Sequence, residues 1–454
     1  MPRHRIASLS CAALAACTAY EPQPLEPAVE LAALASATLD GKAPVAGDFD
    51  PSDGLDDREL VAFALASNPG LRAKRLQAGE TQALLVTAGL LPNPELGLQL
   101  RPGLGTDGGL AAAADLLFPF LRAGERVARR DVARAHIDKT RAELIGDELR
   151  VAVAARTASL RIRAQDDLVR HLEQELALRD EAVALVERRR ELGESTRIAG
   201  ALAELERIDV GRELRAARTG LDREQRSLGE LLGLTPETIV PLAARGEPLR
   251  LDPVADVEDA EIDRRLLAHV PELRALAAEH RIAEAELRLA IRRQYPAFAL
   301  GPAFERDVDG DRSLGLGIAI ELPIFDRAQG EIAQRLAQRE RVRADYVARL
   351  HALRASAFAA RAELRLARDE ADLQRREVLP VIERTEALFE QALRAGEVTV
   401  TDWLAARTRA RTVRRDWLDA VVRHAGAVIR FEAATGFLLG APVPSTTAPS
   451  DVEN

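Results

Sequence analysis

Four short stretches of the chain alternate apolar with small or polar residues, and the long stretches between them carry apolar residues at helical and heptad spacing. Leu96, Leu98 and Leu100 alternate with Glu95, Gly97, Gln99 and Arg101, and Leu314, Leu316, Ile318 and Ile320 alternate with Gly315, Gly317, Ala319 and Glu321. A period of two sets successive side chains on opposite faces of a strand, so each run predicts a strand with one apolar face. Residues 297–305 repeat the pattern through Phe298, Leu300 and Phe304, and residues 110–118 repeat it more weakly through alanines. All four approach the roughly 9 to 11 residues that a tilted strand needs to cross a bilayer. Segments rich in Gly and Asp, at 103–109 and 306–312, join the strands in two pairs. From 124 to 193 there is no proline, and about 70 residues at 1.5 Å each predict a helix about 100 Å long. Ile137, Leu144, Val151 and Ala158 recur at seven along it, a spacing that suits knobs-into-holes packing.

A displacement of 202 residues carries Asn68, Pro69 and Leu71 onto Val270, Pro271 and Leu273, and Pro94 onto Pro296, without a gap. Phe118, Pro119, Phe120 and then Gly124, Glu125 parallel Leu322, Pro323, Ile324, Phe325 and then Gly330, Glu331, while Gly193, Glu194 parallel Gly396, Glu397. Each half thus repeats one order: helix, strand pair, long helix, glycine turn, helix. The return helix over 201–232 is half the length of its partner, and 57–90 supplies the missing length if the two stack end to end. In the second half 330–395, broken only by Pro380, pairs with 401–435, and 260–293 is the stacking partner. Phe118, Phe120, Tyr295 and Phe325 all fall at the helix end of the strands, where an interfacial aromatic girdle would lie. Four strands cannot close a barrel and open edges are not tolerated in lipid, so a membrane reading requires several copies; three would supply twelve strands. The other reading of the same alternation is a pair of amphipathic hairpins on a soluble core.

Composition narrows the choice. Among 454 residues the aromatics reach only 4% and the charged residues 30%, a profile of long helices that argues against a thick globular core. The formal charge of −9 and the interleaving of acids with bases exclude a nucleic-acid surface. Both cysteines, Cys11 and Cys17, lie near the start, so the remainder forms no disulfide, thiolate metal site or cysteine nucleophile. No later segment has the roughly 18 uncharged apolar residues of a transmembrane helix. The seven histidines include no pair at helical metal-site spacing. Asp307, Asp309 and Asp311 suggest a calcium loop, but Gly310 is misplaced and Ile318 stands where the terminal Glu would fall, so the segment reads as a solvated loop. The Arg-rich tracts at 188–190 and 407–415 read as wet helix faces or contacts for an acidic partner. No catalytic triad, phosphate-binding glycine loop or paired-carboxylate motif is present, so neither an enzyme nor a cofactor is expected.

Arg3 and Arg5, the apolar residues 6–13, and Leu14, Ala15, Ala16, Cys17 resemble a bacterial lipobox. That resemblance implies cleavage before Cys17, transfer of a diacylglycerol to its thiol, acylation of its new amine, and, with Thr18 following, the outer membrane as destination. An ordinary signal peptide with an incidental cysteine is the alternative. Residues 20–57, with Pro22, Pro24, Pro27, Pro44 and Pro51, read as an extended tether.

Asn68, Pro69 through Leu91, Pro92, Asn93, Pro94, the run Leu322, Pro323, Ile324, Phe325, Asp326, Arg327 before a Gly330, Glu331 helix start, and the turn from Gly396 to Asp402 together resemble the TolC-type outer membrane efflux family. The resemblance covers nearly all of the mature chain. It implies a mainly α fold with a small β part: long coiled-coil helical hairpins plus four transmembrane strands per chain, assembled as a homotrimeric β-barrel in outer membrane lipid above an α-barrel in the periplasm. It also implies a periplasmic adaptor (membrane fusion protein) and an inner-membrane pump of the resistance-nodulation-division type as partners. The Leu91, Pro92, Asn93, Pro94 form is most similar to the heavy-metal cation efflux branch. The expected organisation is a signal peptide (1–16), a lipid-anchored tether (17–57), a first repeat (58–235), a linker (236–258), a second repeat (259–436) and a tail (437–454).

The family pattern places Gly193, Glu194, Thr196, Gly396, Glu397 and Thr399 at hairpin tips that contact the adaptor, and Asp402 at the entrance constriction, with capping of the 401–435 helix as its plainer role. Ala199 stands where the first tip would carry the matching Asp. The function so implied is a passive export duct. The alternative is a periplasmic adaptor or coiled-coil scaffold, which would need one hairpin flanked by β-rich domains rather than a duplicated chain.

Cys17 anchors in this reading but the strands span the membrane, so Cys17→Ala behind a conventional signal peptide should still give trimers that resist detergent, as read on unheated gels.

Overall fold

A computed structural model describes residues 20–36, 39, 54–102, 110–243 and 256–436. The signal segment with Cys17, the 103–109 loop, residues 244–255 and the tail from 437 lie outside the described residues. After a short helix α1 (Pro27–Ala35), the first repeat runs α2 (Asp57–Ser67), α3 (Pro69–Gly89), β1 (Glu95–Pro102), β2 (Leu110–Phe120), α4 (Glu125–Glu191) and α5 (Arg197–Leu231). The second runs α6 (Asp259–His269), α7 (Pro271–Arg293), β3 (Ala297–Arg306), β4 (Arg312–Glu321), α8 (Gln329–Leu373), α9 (Leu379–Ala395) and α10 (Val400–Thr435). At 67 residues, α4 is about 100 Å long.

Prolines and glycines mark the joints. Asn68 and Val270 each precede a proline, which disfavours helical backbone, and each interrupts its helix there. Asn68 then uses its amide twice: Oδ1 accepts from the Leu71 N–H at 2.9 Å, and Nδ2 donates to the Leu231 carbonyl at 2.8 Å. That second bond ties the start of α3 to the end of α5, the end-to-end stacking that the helix lengths require. The second repeat makes the same joint through Gly436, at φ 68, where a Cβ would come within 2.7 Å of the His269 carbonyl.

Around the first joint, Leu60, Phe63 and Ala64 of α2 pack on Ala155 and Ile162 of α4 and on Leu228 and Leu232. Leu55 pairs with Leu242 in a parallel bridge, donating to Pro241 at 2.9 Å and accepting from Ala243 at 2.8 Å. The ends of the expected tether and linker are therefore built into the core. The second repeat answers with Ile262 and Leu266 of α6, Leu273, Ala357, Leu364, Ala427 and Phe431. Burying each large side chain contributes about 1.5–3 kcal/mol.

Two local expectations are corrected. Pro380 does not break the second long helix; one widened turn over Gln374–Val378 absorbs the missing N–H, and Leu379 stays helical. Gly330 is not the counterpart of Gly124: the left-handed residue that opens α4 is Gly124 at φ 77, but the one that opens α8 is Ala328 at φ 58, held by its N–H donating to Asp326 Oδ1 at 2.8 Å.

The strands form one antiparallel sheet in the order β1-β2-β3-β4. The β2–β3 seam joins the two repeats, from Ala112 opposite Arg306 to Phe120 opposite Phe298. Its ladder skips Leu116 and Leu117, across from Pro302, which has no N–H, and Gly301. A Cβ on Gly301 would stand 1.7 Å from the Leu116 carbonyl oxygen, so only glycine fits the seam.

Gly301→Ala should thus destabilise the sheet by about 3 kcal/mol or more and abolish detergent-resistant trimers, whereas Gly315→Ala, which meets nothing within 4 Å, should leave them intact. Gel mobility of unheated samples distinguishes the two.

Candidate functional site

Cross-strand partners share a face, so the register assigns every strand residue to one side. Leu96 pairs with Leu116 and Leu98 with Ala114. Phe298 pairs with Ile320, Leu300 with Ile318 and Phe304 with Leu314. Across the seam Phe118 pairs with Leu300 and Phe120 with Phe298, which puts all these residues on one continuous apolar face. Leu96, Leu98, Leu100, Leu316, Ile318 and Ile320 lie on it at 57–71% exposure. The opposite face carries Gly97, Gln99, Ala113, Asp115, Ala299, Ala303, Gly315 and Ala319. Among the described residues no helix packs across either face, which removes the soluble-core alternative. The outer edges of β1 and β4 have no partner strand within the described chain.

Phe118, Phe120, Tyr295 and Phe325 are exposed at the helix end of the sheet as expected, and Phe120 stacks on Phe298 with ring centroids 5.1 Å apart. Arg122 fixes sheet to helices: Nε donates to the Tyr295 carbonyl at 2.7 Å, Nη2 pairs with Glu321 at 3.2 Å, and its N–H donates to the buried Glu125 at 3.2 Å.

At the far end the two hairpin tips share one backbone design. Gly193 at φ 79 and Gly396 at φ 75 turn the chain, and the following N–H groups of Glu194 and Glu397 donate back to the Arg189 and Ala392 carbonyls at 2.8 and 2.9 Å. Thr196 caps α5, accepting from the Ala199 N–H at 3.1 Å. Thr399 caps α10, and here Asp402 completes a reciprocal capping box: its N–H donates to Thr399 Oγ1 at 3.2 Å, while its carboxylate accepts from the Thr399 N–H at 3.2 Å and hydroxyl at 2.6 Å. Asp402 is therefore the third residue of the helix rather than its N-cap, and it is exposed. Ala199 is buried with Ala182, Val186, Ala203, Leu393, Val400, Trp403 and Leu404 in the core that joins the two tips. A carboxylate there would be desolvated without a partner, which is the physical reason for the departure from the Asp pattern.

About 25–30 Å above the tips, by helical rise, lies a feature the sequence reading missed. Glu175 and Arg179 of α4 are buried, 3.7 Å apart, and Glu175 lies 3.7 Å from Arg414 of α10, which also pairs with Glu386 of α9. Gln174, Glu383 and Glu390 line the same cavity of about 500 Å³ beside His171. Arg179 Nε and Glu175 Oε2 make no hydrogen bond among the described residues. The 407–415 tract is accordingly not a uniformly wet face, since Arg411 and Arg414 turn inward toward Glu213, Glu175 and Glu386. The sequence signal was present: His171, Glu175 and Arg179 lie on the stripe that continues through Ala182 and Val186, so charges occupy core positions. Burial pushes the His171 pKa down, with nearby Arg414 and Arg411 adding to the effect against Glu175 and Glu386. Among the described residues no cluster of His, Cys, Asp and Glu could hold a metal ion, and no helix is long and apolar enough to cross a membrane.

Comparison with known proteins completes the picture. Residues 264–436 match the family model described as outer membrane efflux protein. The chain is 25% identical over 379 residues to the cobalt-zinc-cadmium resistance protein CzcC of Cupriavidus metallidurans, covering 83% of this chain and 87% of that one. The solved structure of CusC, described for its transmembrane channel formation, superposes with a TM-score of 0.72 at 17% identity over 87% of this chain and 96% of that one. A membrane protein from Pseudomonas aeruginosa superposes with a TM-score of 0.71 at 18% identity, over 87% and 95% of the two chains.

Because its folded pKa is lowered, His171 takes up a proton less readily in the native pillar than in the unfolded chain, so stability contributed at neutral pH is lost as pH falls below about 6.5. His171→Gln should flatten the drop in trimer melting temperature between pH 7.5 and 5.5 relative to the unmodified protein.

Proposed function

We propose that this chain, whose residues 264–436 match the outer membrane efflux protein model, belongs to that family, forms the outer membrane channel-tunnel of a tripartite efflux system and carries heavy-metal cations out of the cell. The single observation that bears most weight is the four-stranded sheet with a bare apolar face and two open edges. Three copies pair those edges into one twelve-stranded barrel, and the paired helical hairpins of the homotrimer continue it as a tunnel across the periplasm. A periplasmic adaptor and an inner-membrane pump of the resistance-nodulation-division type deliver cargo, so the protein is a conduit for transport and not a catalyst. A scaffold without a channel would have no use for the lipid-facing sheet.

The cargo assignment is supported by the likeness to a cobalt-zinc-cadmium resistance protein and by Leu91, Pro92, Asn93, Pro94. Cys17 is the lipid anchor. Gly193, Glu194, Thr196, Gly396, Glu397 and Thr399 meet the adaptor: both tips are solvent-facing reversals whose glycines leave backbone groups accessible. Asp402 serves as the entrance constriction as well as the capping partner of Thr399. The capping box holds the carboxylate at a helix N-terminus, and one per chain sets three carboxylates around the axis where the tips converge, which favours cations over anions.

Purified trimers in a planar bilayer should conduct; silent trimers would leave the scaffold reading. Asp402→Asn retains hydrogen bonding to Thr399 but removes the charge, so the reversal potential under a KCl gradient should shift toward zero as chloride permeates more freely. An unchanged reversal potential would leave Asp402 with its capping role alone.

A further inference from the structure

The hairpin between β3 and β4 sorts its charges by face. Phe304 and Leu314 are partners on the apolar, lipid-facing side, and two residues further along the same side Arg306 and Arg312 stand directly opposite each other. The register continues one step past them, with the Asp307 N–H donating to the Asp311 carbonyl at 3.0 Å. Glu305, Asp307 and Asp311 therefore alternate onto the other face, toward the lumen. Both arginines are exposed, and neither guanidinium has an ion pair or hydrogen bond among the described residues. Like charges directly opposite on an antiparallel pair repel, and among the described residues no counter-ion offsets them.

Its height identifies the counter-ion. Eight residues separate Phe298, in the aromatic girdle, from Arg306. At about 3.3 Å per residue and a tilt near 40° they rise about 20 Å, close to the roughly 25 Å height of an outer-membrane apolar band. The pair thus lies at the headgroup level farthest from the helices, in the outer leaflet. Just below it on the same face, Phe304, Leu314 and Leu316 are exposed at 41%, 80% and 66% and offer a surface for acyl chains. Two guanidinium forks above an apolar strip match an amphipathic anion whose charge is a phosphate.

We propose that Arg306 and Arg312 bind the phosphate of an acylated glycolipid in the outer leaflet, fixing the barrel rim in the membrane. The inference rests on the reading of the sheet as spanning the outer membrane. The strand alternation supplies both requirements, a charged pair facing lipid and acidic groups facing the lumen, where they do not oppose the phosphate at contact range.

Native mass spectrometry of detergent-purified trimers tests this with bis-phosphorylated lipid A as the probe. The unmodified protein should retain lipid A about tenfold more tightly than Arg306→Gln/Arg312→Gln, and should not prefer lipid A stripped of both phosphates over phosphatidylethanolamine. Arg306→Lys/Arg312→Lys, which keeps the charge and loses the forks, should fall between them. Equal retention by the Gln variant, or equal retention of the dephosphorylated lipid by the unmodified protein, overturns the proposal. So does displacement of lipid A by millimolar inorganic phosphate, which would make the pair an anion site without lipid. Should the Gln variant fail to assemble, the comparison of the two lipids on the unmodified protein decides alone. Failure of the membrane-spanning reading itself would appear separately, as an unmodified protein that neither trimerises nor conducts.

Discussion

In hydrocarbon a backbone N–H or C=O without a partner costs several kcal/mol, and the two open edges of a four-stranded sheet present whole rows of them. The order β1-β2-β3-β4 uses the internal β2–β3 seam to join the two repeats and leaves β1 and β4 as edges, so the chain cannot be finished within itself. Closure by other copies satisfies both edges at once. It also dictates the seam's tolerance: Gly301 lies against the Leu116 carbonyl because the backbones must close up around Pro302, which donates nothing to the ladder.

The helical part obeys a different solvent. Its tunnel stands in water, and its cores are narrow seams rather than a thick interior, with Ala152, Ala155, Ala182, Ala203, Ala410, Ala420 and Ala427 almost wholly buried. Small side chains let long helices approach closely while charged residues fill the solvated faces, which is why aromatics are scarce and charges abundant. The aromatics that exist collect where the two solvents meet. Arg122, bonded to Tyr295, Glu321 and Glu125, carries the orientation of the sheet across that boundary into α4.

Duplication supplied two hairpins of one design, and their packing made them unequal. Ala199 turned inward to join the tips, while Asp402 at the matching position stayed in water and closed a capping box. The same divergence appears higher up, where α9 and α10 contribute Glu386 and Arg414 to a buried cluster with Glu175 and Arg179 of α4. Such a cluster holds the hairpins together at a desolvation cost that apolar residues would not carry.

Strand faces, helix lengths, the duplication and the glycine turns were legible in the sequence because each depends on residues a few positions apart: period-two alternation, absence of proline, and glycine where φ must be positive. End-to-end stacking followed from arithmetic on those lengths. The left-handed Ala328, the widened turn before Pro380 and the glycine requirement at Gly301 were not legible. They are set by the path the chain must take and not by local preference. For Glu175 and Arg179 the stripe they share with Ala182 and Val186 was the one local signal, while their meeting with Arg414 lay out of reach, since it depends on which helix faces meet across more than 200 residues of chain. A charged residue on a helix stripe reads as solvated until a neighbour covers it. Local periodicity thus determined which elements form and which of their faces are apolar, whereas only the tertiary structure decided which polar groups lose their water, because desolvation is a property of the neighbour and not of the residue.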